Sequence, residues 1–291
     1  MLLSMTGYGR SSVAFKEKTI SVEVKSLNSK FTDLRIKIPQ NFREKETELR
    51  KMVVDRAERG KLELSIDVKS LQGDDGFGLN RPLFNRYYQE LQSLLSDVAA
   101  PQSDLVQAIL KIPNVISTEE QEIDDDEWST VMSAMTDALS LFDKFRLAEG
   151  GAMEEDLRTR VSNILDLLGQ VNPFEEERVS KIRQRMYQNL EEFMGKENVD
   201  KNRFEQEVLF YLEKMDITEE KVRLEQHCRY FLEELDKKVN AKGRKLGFIS
   251  QEMGREINTL GAKAYSSEIQ RLVVTMKDEL EKIKELVANT V

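Results

Sequence analysis

The spacing of apolar residues changes once along this chain, about a quarter of the way from its start, and that change limits the possible folds more than any other feature. Before it, apolar and polar residues alternate, as from Ile20 to Lys25, which is typical of a half-buried strand. The alternation recurs at 34–38 and 62–68, and helical spacing covers 42–56. We therefore expect an α+β fold that begins with a small strand-rich domain over residues 1–72.

The rest of the chain is predicted to be largely helical. A Gly- and Asp-rich stretch over residues 72–78 has the composition of a linker or loop, and no strand pattern follows it. We expect a helical middle region over 79–172 and a C-terminal domain of long helices over 173–291. In the middle region, helices are predicted at 81–100, 103–112, 125–145 and 147–171. A long helix is predicted from 173 to about 235, with a break allowed at 195–200, and another at 244–260. Ser267 with Gln270 fits a capping box that begins the last helix.

Charge is unevenly distributed along the sequence. The net charge is −9, yet residues 1–72 hold 15 basic and 10 acidic residues, whereas residues 73–142 hold 3 and 13. The first region therefore has a positive local field that suits a polyanionic partner, although the whole chain is acidic. The acidic run before Trp128 is expected to begin a helix, because carboxylates interact favourably with a helix N-terminus.

Several classes of protein are excluded because the chain has one cysteine, Cys228, and one histidine, His227. A disulfide framework and a cysteine-based zinc site need more cysteines, and one chain cannot supply a mechanism that needs two histidines. No stretch of 18 residues lacks charge, so we expect no membrane span. The N-terminus has no basic start and no long apolar run, so we expect no secretory signal and a cytoplasmic protein. The two glycines in Gly7–Arg10 predict a turn or a close backbone approach.

Two groups of polar residues can carry chemistry, and the first ends at the single histidine. Asp216, Glu220, Arg223 and His227 are separated by 4, 3 and 4 residues, which would place them within about 60° of one another on a single helix. Apolar residues flank this stripe, and burial there can perturb pKa values. Two carboxylates with an imidazole can hold a divalent ion or transfer protons. The alternative is a chain of ordinary i,i+4 ion pairs on a solvated helix.

The second group lies at residues 243–263, where the predicted helix has two polar rows beside an apolar face. One row can pair carboxylates with lysines or place carboxylates on a metal, and it consists of Lys245, Glu252, Glu256 and Lys263. The other row can bind phosphates through arginine, and it consists of Arg244, Gln251, Arg255 and Asn258. The alternative is a Glu–Lys lattice that only docks two helices. Helices with this much charge each bury a narrow seam, so we also expect an oligomer.

Blocks spread over nearly the whole chain resemble the YicC/YloC family of bacterial proteins. In order, they are Ser4-Met5-Thr6-Gly7-Tyr8-Gly9-Arg10, Val24–Phe31, the Leu34–Pro39 strand, Arg59-Gly60-Lys61, Arg146 with Glu149-Gly150, Arg223–His227 and the helix over 243–263. The chain departs from the family pattern at Gly254, where Asn is usual, at Leu27, where Val is common, and at Gly247, where Asp is common. Glycine at position 254 lowers helix propensity. This departure concerns only the role that a side chain at that one position would have.

This resemblance implies a divalent-metal-dependent endoribonuclease that cleaves single-stranded or hairpin-containing RNA by phosphodiester hydrolysis and contributes to RNA turnover. It implies a ring-like homo-oligomer, expected to be a hexamer, that takes RNA into a central cavity. Mn²⁺ or Mg²⁺ is the expected cofactor, and other RNA-decay enzymes are expected partners besides RNA itself.

Matching the motifs residue by residue assigns roles within this framework. The expected metal ligands are Asp216, Glu220, Glu252 and Glu256. The expected catalytic residues are Glu252, Glu256, Lys263 and His227, the last as a ligand or as the proton donor to the leaving oxygen. The expected RNA-binding residues are Arg10, Lys25, Lys30, Arg59, Lys61, Arg223, Arg244 and Arg255, and Arg35 is a further phosphate contact. Tyr8 or Phe31 can stack on a base, although such residues more often belong to a core.

Other interpretations stay open at this point. The protein can be a non-catalytic RNA-binding adaptor that presents RNA to another nuclease, or a purely structural helical oligomer. Metal-free transesterification by the RNA 2′-OH is an alternative chemistry, and it normally needs two acid–base groups. Lys245 or Lys263 would then have to act with the single histidine.

Overall fold

The computed structural model divides the chain into two compact units, which we describe separately. The sheet unit spans Tyr8–Asp143, and the helical unit combines Met1–Gly7 with Lys144–Val291. The residues that the structure describes are 2–29, 31–70, 77–98, 105–118, 124–195, 201–237 and 242–291. The predicted α+β fold is confirmed. The division into three regions stays a prediction about which parts fold independently.

The sheet unit is built on a four-stranded sheet in the order β1-β2-β4-β3. Strand β2 pairs antiparallel with β4, and β3 pairs parallel with β4. The periodicity predicted three of these strands but missed β1, whose apolar positions are few. The strands are β1 (Gly7–Phe15), β2 (Lys18–Leu27), β3 (Asp33–Lys37) and β4 (Lys61–Ser70).

One face of this sheet is buried and forms the core of the sheet unit. Residues such as Val22 and Leu64, which are 0% exposed, pack with the 3-10 helix Gln40–Lys45, helix α1 (Glu46–Ala57) and the first part of α4 (Asp125–Gly169). The opposite face carries polar side chains. Alternation of apolar and polar residues therefore predicted both the strands and the side of the sheet that faces the core.

Three features of the middle of the chain differ from the prediction. Strands do not end with β4, because β5 (Phe77–Leu79) pairs antiparallel with β6 (Ile116–Thr118). Strands of three residues are too short to show a periodicity. The two helices predicted at 125–145 and 147–171 are one helix, α4, because no proline interrupts the chain near Arg146. The acidic residues before Trp128 do begin this helix, as predicted, and helices α2 (Arg81–Val98) and α3 (Leu105–Leu110) precede it.

The long helix predicted from Pro173 to about residue 235 is wrong in one respect, since it ends and restarts at residues 215–217. Asp216 Oδ1 accepts hydrogen bonds from the backbone N of Thr218 at 3.0 Å and from its hydroxyl at 2.7 Å. Such a local bond competes with continued helix and begins a new one. The resulting helices are α5 (Asn172–Met194), α6 (Lys201–Lys214), α7 (Thr218–Asp236), α8 (Gly243–Ala264) and α9 (Ser267–Ala288).

The helical unit has its own core, formed by the second part of α4 together with α7, α8 and α9. The apolar face predicted for α8 is buried, with Met253 and Ile257 at 0% exposure, and so is the stripe of α9 that includes Met276 and Ile283. The predicted cap of α9 lies one residue too late. Ser266 is the N-cap, and its hydroxyl accepts from the backbone N of Ile269. No helix among the described residues is both long and apolar enough to cross a membrane.

The two ends of the chain meet in the helical unit, in a group of contacts that we call the terminal clasp. Ser4 forms a β-bridge with Thr290, and Arg146, which is 2% exposed, donates from Nε to the carbonyl of Ser4 at 2.7 Å. Thr6 donates to Glu149 at 2.5 Å. The first and middle blocks of the family pattern are therefore bonded to each other inside the fold.

Glycines allow the backbone to approach closely at two of these blocks. A Cβ added to Gly150 would lie 2.0 Å from the carbonyl oxygen of Leu2. In the sheet unit, a Cβ on Gly9 would lie 2.0 Å from the carbonyl oxygen of Ala138. The close backbone approach predicted for the first glycine pair is confirmed.

Candidate functional site

Helices α7 and α8 pack against each other in antiparallel directions, and two ion pairs with buried carboxylates fix their register. Glu220 of α7 accepts from Lys263 of α8 at 2.7 Å, and Glu234 accepts from Lys245 at 2.8 Å. The two glutamates are 6% and 5% exposed. They stand about 21 Å apart along α7, given 1.5 Å per residue. The Glu–Lys lattice between two helices, considered from the sequence as the alternative to a chemical role, is therefore present at both ends of this pair.

The middle of the helix pair holds the remaining acid–base side chains of the two polar groups. His227 lies midway between the two glutamates of α7, and residue 254 lies midway between the two lysines of α8. This register puts His227 level with the segment between Glu252 and Glu256, and all three side chains are half-buried. We call the row formed by these three residues and the two framing ion pairs the α7–α8 edge.

The residues of this edge share one angular position on each of the two helices. On α8, Lys245, Glu252, Glu256 and Lys263 fall within about 40° of one another at 100° per residue. On α7, Glu220, His227 and Glu234 also fall within about 40° of one another. Because the framing pairs lie on the same lines, the acid–base groups between them face the same side. The edge thus presents one imidazole and two carboxylates between two ion pairs, which suits proton transfer and cation binding.

The ion pair near the end of α7 and the start of α8 contains a third charged residue. Glu234 accepts from Lys237 at 2.7 Å through the same oxygen that accepts from Lys245. Burial alone would raise the pKa of Glu234, but the two lysine hydrogen bonds hold it below its ordinary value. Hydrogen bonds to Glu234 and Tyr230 raise the pKa of Lys245. The buried Lys242 donates to the carbonyl of Leu235 at 2.6 Å and so joins the end of α7 to the start of α8.

The opposite end of the edge is held by a buried arginine. Arg178 of α5 donates to the carbonyls of Met215 at 2.9 Å and Ala264 at 3.2 Å, and burial lowers its pKa. It therefore connects the last residues of α8 to the turn before α7. Glu220 uses one carboxylate oxygen for Lys263, and its other oxygen has no hydrogen-bond partner among the described residues.

The second polar row of α8, which the sequence suggested for phosphate binding, is exposed. Arg244 lies over the ring of Phe248 at 5.8 Å from the centroid, and Arg255 forms an ion pair with Glu252 at 2.7 Å. On α7, Arg223 forms an i,i+4 ion pair with Glu219 on the solvent side. The ordinary surface pairs considered as an alternative therefore occur on α7 as well, and the RNA-binding roles stay predictions.

The four predicted metal ligands are not gathered in one place. Asp216 is exposed in the turn before α7, where hydrogen bonds from Thr218 lower its pKa, and Glu220 is paired with Lys263. Within the part of the chain that the structure describes, no three His, Cys, Asp or Glu residues are grouped so that they could hold a metal ion. Glu252 and Glu256 remain as two carboxylates on one helix face. Mg²⁺ is commonly bound by one or two carboxylates together with substrate phosphates, so this donor set fits an ion that arrives with RNA.

The predicted basic residues that the structure describes in the sheet unit lie on its polar face, except Arg59, which lies at the margin of that face. Arg10, Lys25 and Lys61 are exposed there, and Arg59 is half-buried just before β4. Lys30 lies outside the described residues. The ammonium of Lys25 bonds Glu23 at 2.5 Å, which lowers the pKa of that carboxyl.

Aromatic residues accompany these cations on the sheet unit. Lys25 lies 5.7 Å from the ring centroid of Tyr8, which is 41% exposed, and Phe31 is 80% exposed. The expected alternative, that either ring belongs to the core, is therefore not what the structure has. A polar sheet face with cations beside exposed rings suits contacts with a nucleic-acid strand.

Sequence reasoning missed several residues that position the edge. Glu234 and Tyr230 lie seven and three residues after His227, so the spacing that selected Glu220 would also have selected Glu234. Arg178 and Lys242 carry no sequence signal, because their role depends on buried carbonyl groups that only the folded backbone brings near them.

The fold and the edge together define an α+β protein with acid–base side chains aligned on one helical surface. The family model described as "Endoribonuclease YicC-like, N-terminal region" matches residues 2–155, and the model described as "Endoribonuclease YicC-like, C-terminal" matches residues 171–290. The chain belongs to the YicC-like endoribonuclease family.

Two relatives support this assignment over their full lengths. A protein of Clostridioides difficile named "Probable endoribonuclease YicC" is 32% identical over 292 residues, covering 99% of each chain. A Haemophilus influenzae protein of the same name is 29% identical over 290 residues, again with 99% of each chain covered.

The two departures from the family pattern within α8 lie away from the edge. A Cβ on Gly254 would lie 3.1 Å from Leu280 of α9, and one on Gly247 would lie 3.8 Å from Val287 of α9. Both positions thus face the core side of α8. The departures leave the residues of the α7–α8 edge unchanged.

Proposed function

We propose that this protein is an endoribonuclease that hydrolyses phosphodiester bonds in single-stranded or hairpin-containing RNA at the α7–α8 edge, as part of RNA turnover. The observation that carries the proposal is the position of His227 level with Glu252 and Glu256, between two ion pairs with buried carboxylates, in a chain whose relatives are named probable endoribonucleases. General acid and base groups on one surface are what hydrolysis of a phosphodiester requires.

The residues of the edge take distinct parts in this reaction. Glu252 or Glu256 accepts a proton from the attacking water, and His227 donates one to the leaving ribose oxygen. Lys263, which is paired with Glu220 about 10 Å from His227 along α7, contacts a phosphate next to the cleaved one. The exposed Arg255 binds a phosphate through its planar fork of donors.

We propose that the reaction depends on a divalent cation, Mn²⁺ or Mg²⁺. When bound, such an ion supplies charge neutralisation at the phosphate and lowers the pKa of a water molecule. Glu252 and Glu256 are the protein groups placed to hold it, and phosphate oxygens complete the donor set. For Asp216 to act as a further ligand, the turn before α7 has to rearrange. For Glu220 to do so, its ion pair with Lys263 has to break.

RNA binding in this proposal uses the phosphate backbone more than the bases. Arg223, Arg244 and Arg255 contact phosphates near the cleaved bond. Arg10, Lys25, Arg59 and Lys61, together with Lys30, supply contacts on the sheet unit. Each neutralised phosphate adds to the salt dependence of binding.

We also propose that the protein works as a homo-oligomer, with six subunits as the expected number. Helices α5 and α6 support this, because they leave large apolar side chains exposed: Phe193 at 94%, Leu209 at 61% and Phe210 at 51%. Exposed apolar side chains concentrated on two helices favour a protein interface there. Light scattering on the purified chain measures the number directly, and a mass of one subunit, 33.7 kDa, would contradict the proposal.

The test of the proposed reaction is cleavage of an end-labelled RNA hairpin by the purified protein. We expect internal fragments that disappear on chelation and return with Mn²⁺ or Mg²⁺. Hydrolysis leaves no 2′,3′-cyclic phosphate, so a cyclic end on the fragments would instead support transesterification. RNA binding without fragments under all metal conditions would contradict the nuclease and favour the adaptor.

A further inference from the structure

An aromatic side chain stands on the functional face of α8 without a part in the proposed reaction. Phe248 is 55% exposed and belongs to neither hydrophobic core. The periodicity of the helix places it between Arg244 and Arg255 on one side and Lys245 and Glu252 on the other, all within about 60°. A phenyl ring therefore lies at the centre of this surface, one helical turn from Glu252.

Cations surround this ring and its neighbour on α7. The Arg244 guanidinium lies 5.8 Å from the centroid of Phe248. The ring of Tyr230 has the ammonium groups of Lys245 at 5.1 Å and Lys237 at 5.7 Å from its centroid. The patch contains four cations, Arg244, Arg255, Lys237 and Lys245, and two carboxylates, Glu234 and Glu252, so it has a positive charge that complements phosphate.

The two lysines of this patch are held in place. Glu234 accepts from Lys237 at 2.7 Å and from Lys245 at 2.8 Å, and it is itself 5% exposed. A buried carboxylate that is shared in this way restricts both side chains before any ligand arrives. Such preorganisation lowers the entropic cost of binding.

We propose that Phe248 is a stacking surface for one unpaired RNA base next to the cleaved bond, and that it determines the preference for unpaired nucleotides. The proposal rests on the proposed function and names a specificity-determining part of the same site. The flexible Arg244 side chain moves from the Phe248 ring to the other face of the base, and Lys237 with Lys245 holds the neighbouring phosphates. A base within a duplex is already stacked on both faces, so it cannot enter this arrangement.

The test is a fluorescence titration of the full chain with a short single-stranded RNA that carries one 2-aminopurine, performed in chelator so that no cleavage occurs. Stacking on Phe248 is expected to quench the fluorophore. Phe248→Ala is expected to remove the quenching and weaken binding by about 5- to 100-fold, while the slope of log affinity against log salt stays the same. Phe248→Tyr is expected to restore both, and Phe145→Ala, which removes a phenyl ring that is 45% exposed, is the matched control.

The outcomes separate this inference from the proposed function. Unchanged quenching and affinity in Phe248→Ala would overturn the stacking role. A change of oligomeric state in that variant, measured by light scattering, would also overturn it, because Phe248 would then belong to a protein interface. Binding with the expected quenching by a protein that never cleaves RNA with Mn²⁺ or Mg²⁺ would sink the nuclease and leave the stacking surface intact.

Discussion

The terminal clasp and the α7–α8 edge both contain blocks of the family pattern, but they use their polar groups in opposite ways. In the clasp, Arg146 is 2% exposed and donates to a backbone carbonyl, and Thr6 donates to Glu149. On the edge, His227 and the carboxylates beside it are half-buried and lie between ion pairs that other residues supply.

This difference separates residues that maintain the fold from residues that can do chemistry. A polar group whose bonds are made inside the protein cannot bind a ligand without breaking those bonds, and a buried group left without a partner costs free energy. A half-buried group with its neighbours fixed keeps its capacity for a substrate. Changes in the clasp should therefore lower stability, and changes at His227, Glu252 and Glu256 should lower activity at constant stability.

The largest expected effect is the loss of activity in His227→Gln. Removing a general acid typically lowers a rate by about 10²- to 10⁴-fold. Single-turnover cleavage of a labelled RNA measures it, and thermal unfolding checks that stability is unchanged. Gln226→Ala, at the exposed neighbouring position, is the control and should cleave like wild type. Equal rates in the two variants would place the chemistry elsewhere.

A clasp variant gives the next largest effect, on stability. Gly150→Ala should lower the free energy of unfolding by about 3 kcal/mol, because the new Cβ would lie 2.0 Å from a backbone carbonyl. Gly151→Ala is the matched control in the same helix, since nothing lies within 4 Å of its Cβ position. We expect it to be neutral or to stabilise by up to about 1 kcal/mol. Urea unfolding of both variants tests this, and equal stability would show that the clasp is not tightly packed.

A smaller effect is expected from Glu234→Gln, and it should depend on pH. The lysine hydrogen bonds lower the pKa of Glu234 in the folded state, so its contribution is present above the unfolded pKa of about 4.3 and is lost as the pH falls through the folded value. We expect the variant to be less stable by about 1–2 kcal/mol at pH 7. That difference should shrink when urea unfolding is repeated at pH 4 and pH 3. A difference that stays constant with pH would mean that the charge of Glu234 does not matter.

The smallest effect concerns the sheet unit. Lys25→Ala should weaken RNA binding a few-fold and reduce the salt slope by about 0.7, the value for one contact to single-stranded nucleic acid. Lys51→Ala, an exposed lysine on α1, is the control and should leave the slope unchanged. Filter binding at several salt concentrations measures both. If the two variants behave alike, the polar sheet face is not an RNA contact.

The sequence predicted the parts of the fold that depend on periodicity. Alternation predicted β2, β3 and β4, and the apolar stripe predicted the buried face of α8. It failed where local geometry decides the outcome. Asp216 ends one helix by bonding Thr218, and composition alone does not distinguish that bond from a helical ion pair.

The candidate site was predictable to a similar extent. The row from Lys245 to Lys263 was visible as a spacing, and the structure shows both lysines paired with glutamates of α7. The position of Arg178 was not visible, since it depends on two carbonyl groups that are far apart in sequence. The exposure of Phe248 likewise depends on which helices pack around α8.

The most direct test of the central claim compares binding and cleavage of one RNA by the double variant Glu252→Gln, Glu256→Gln. Both substitutions keep size and remove charge, and both positions are half-buried on the edge. The account predicts that the variant still binds the RNA but cleaves it at least about 10²-fold more slowly in saturating Mn²⁺ or Mg²⁺. Cleavage at the wild-type rate would contradict the claim that the α7–α8 edge carries the reaction.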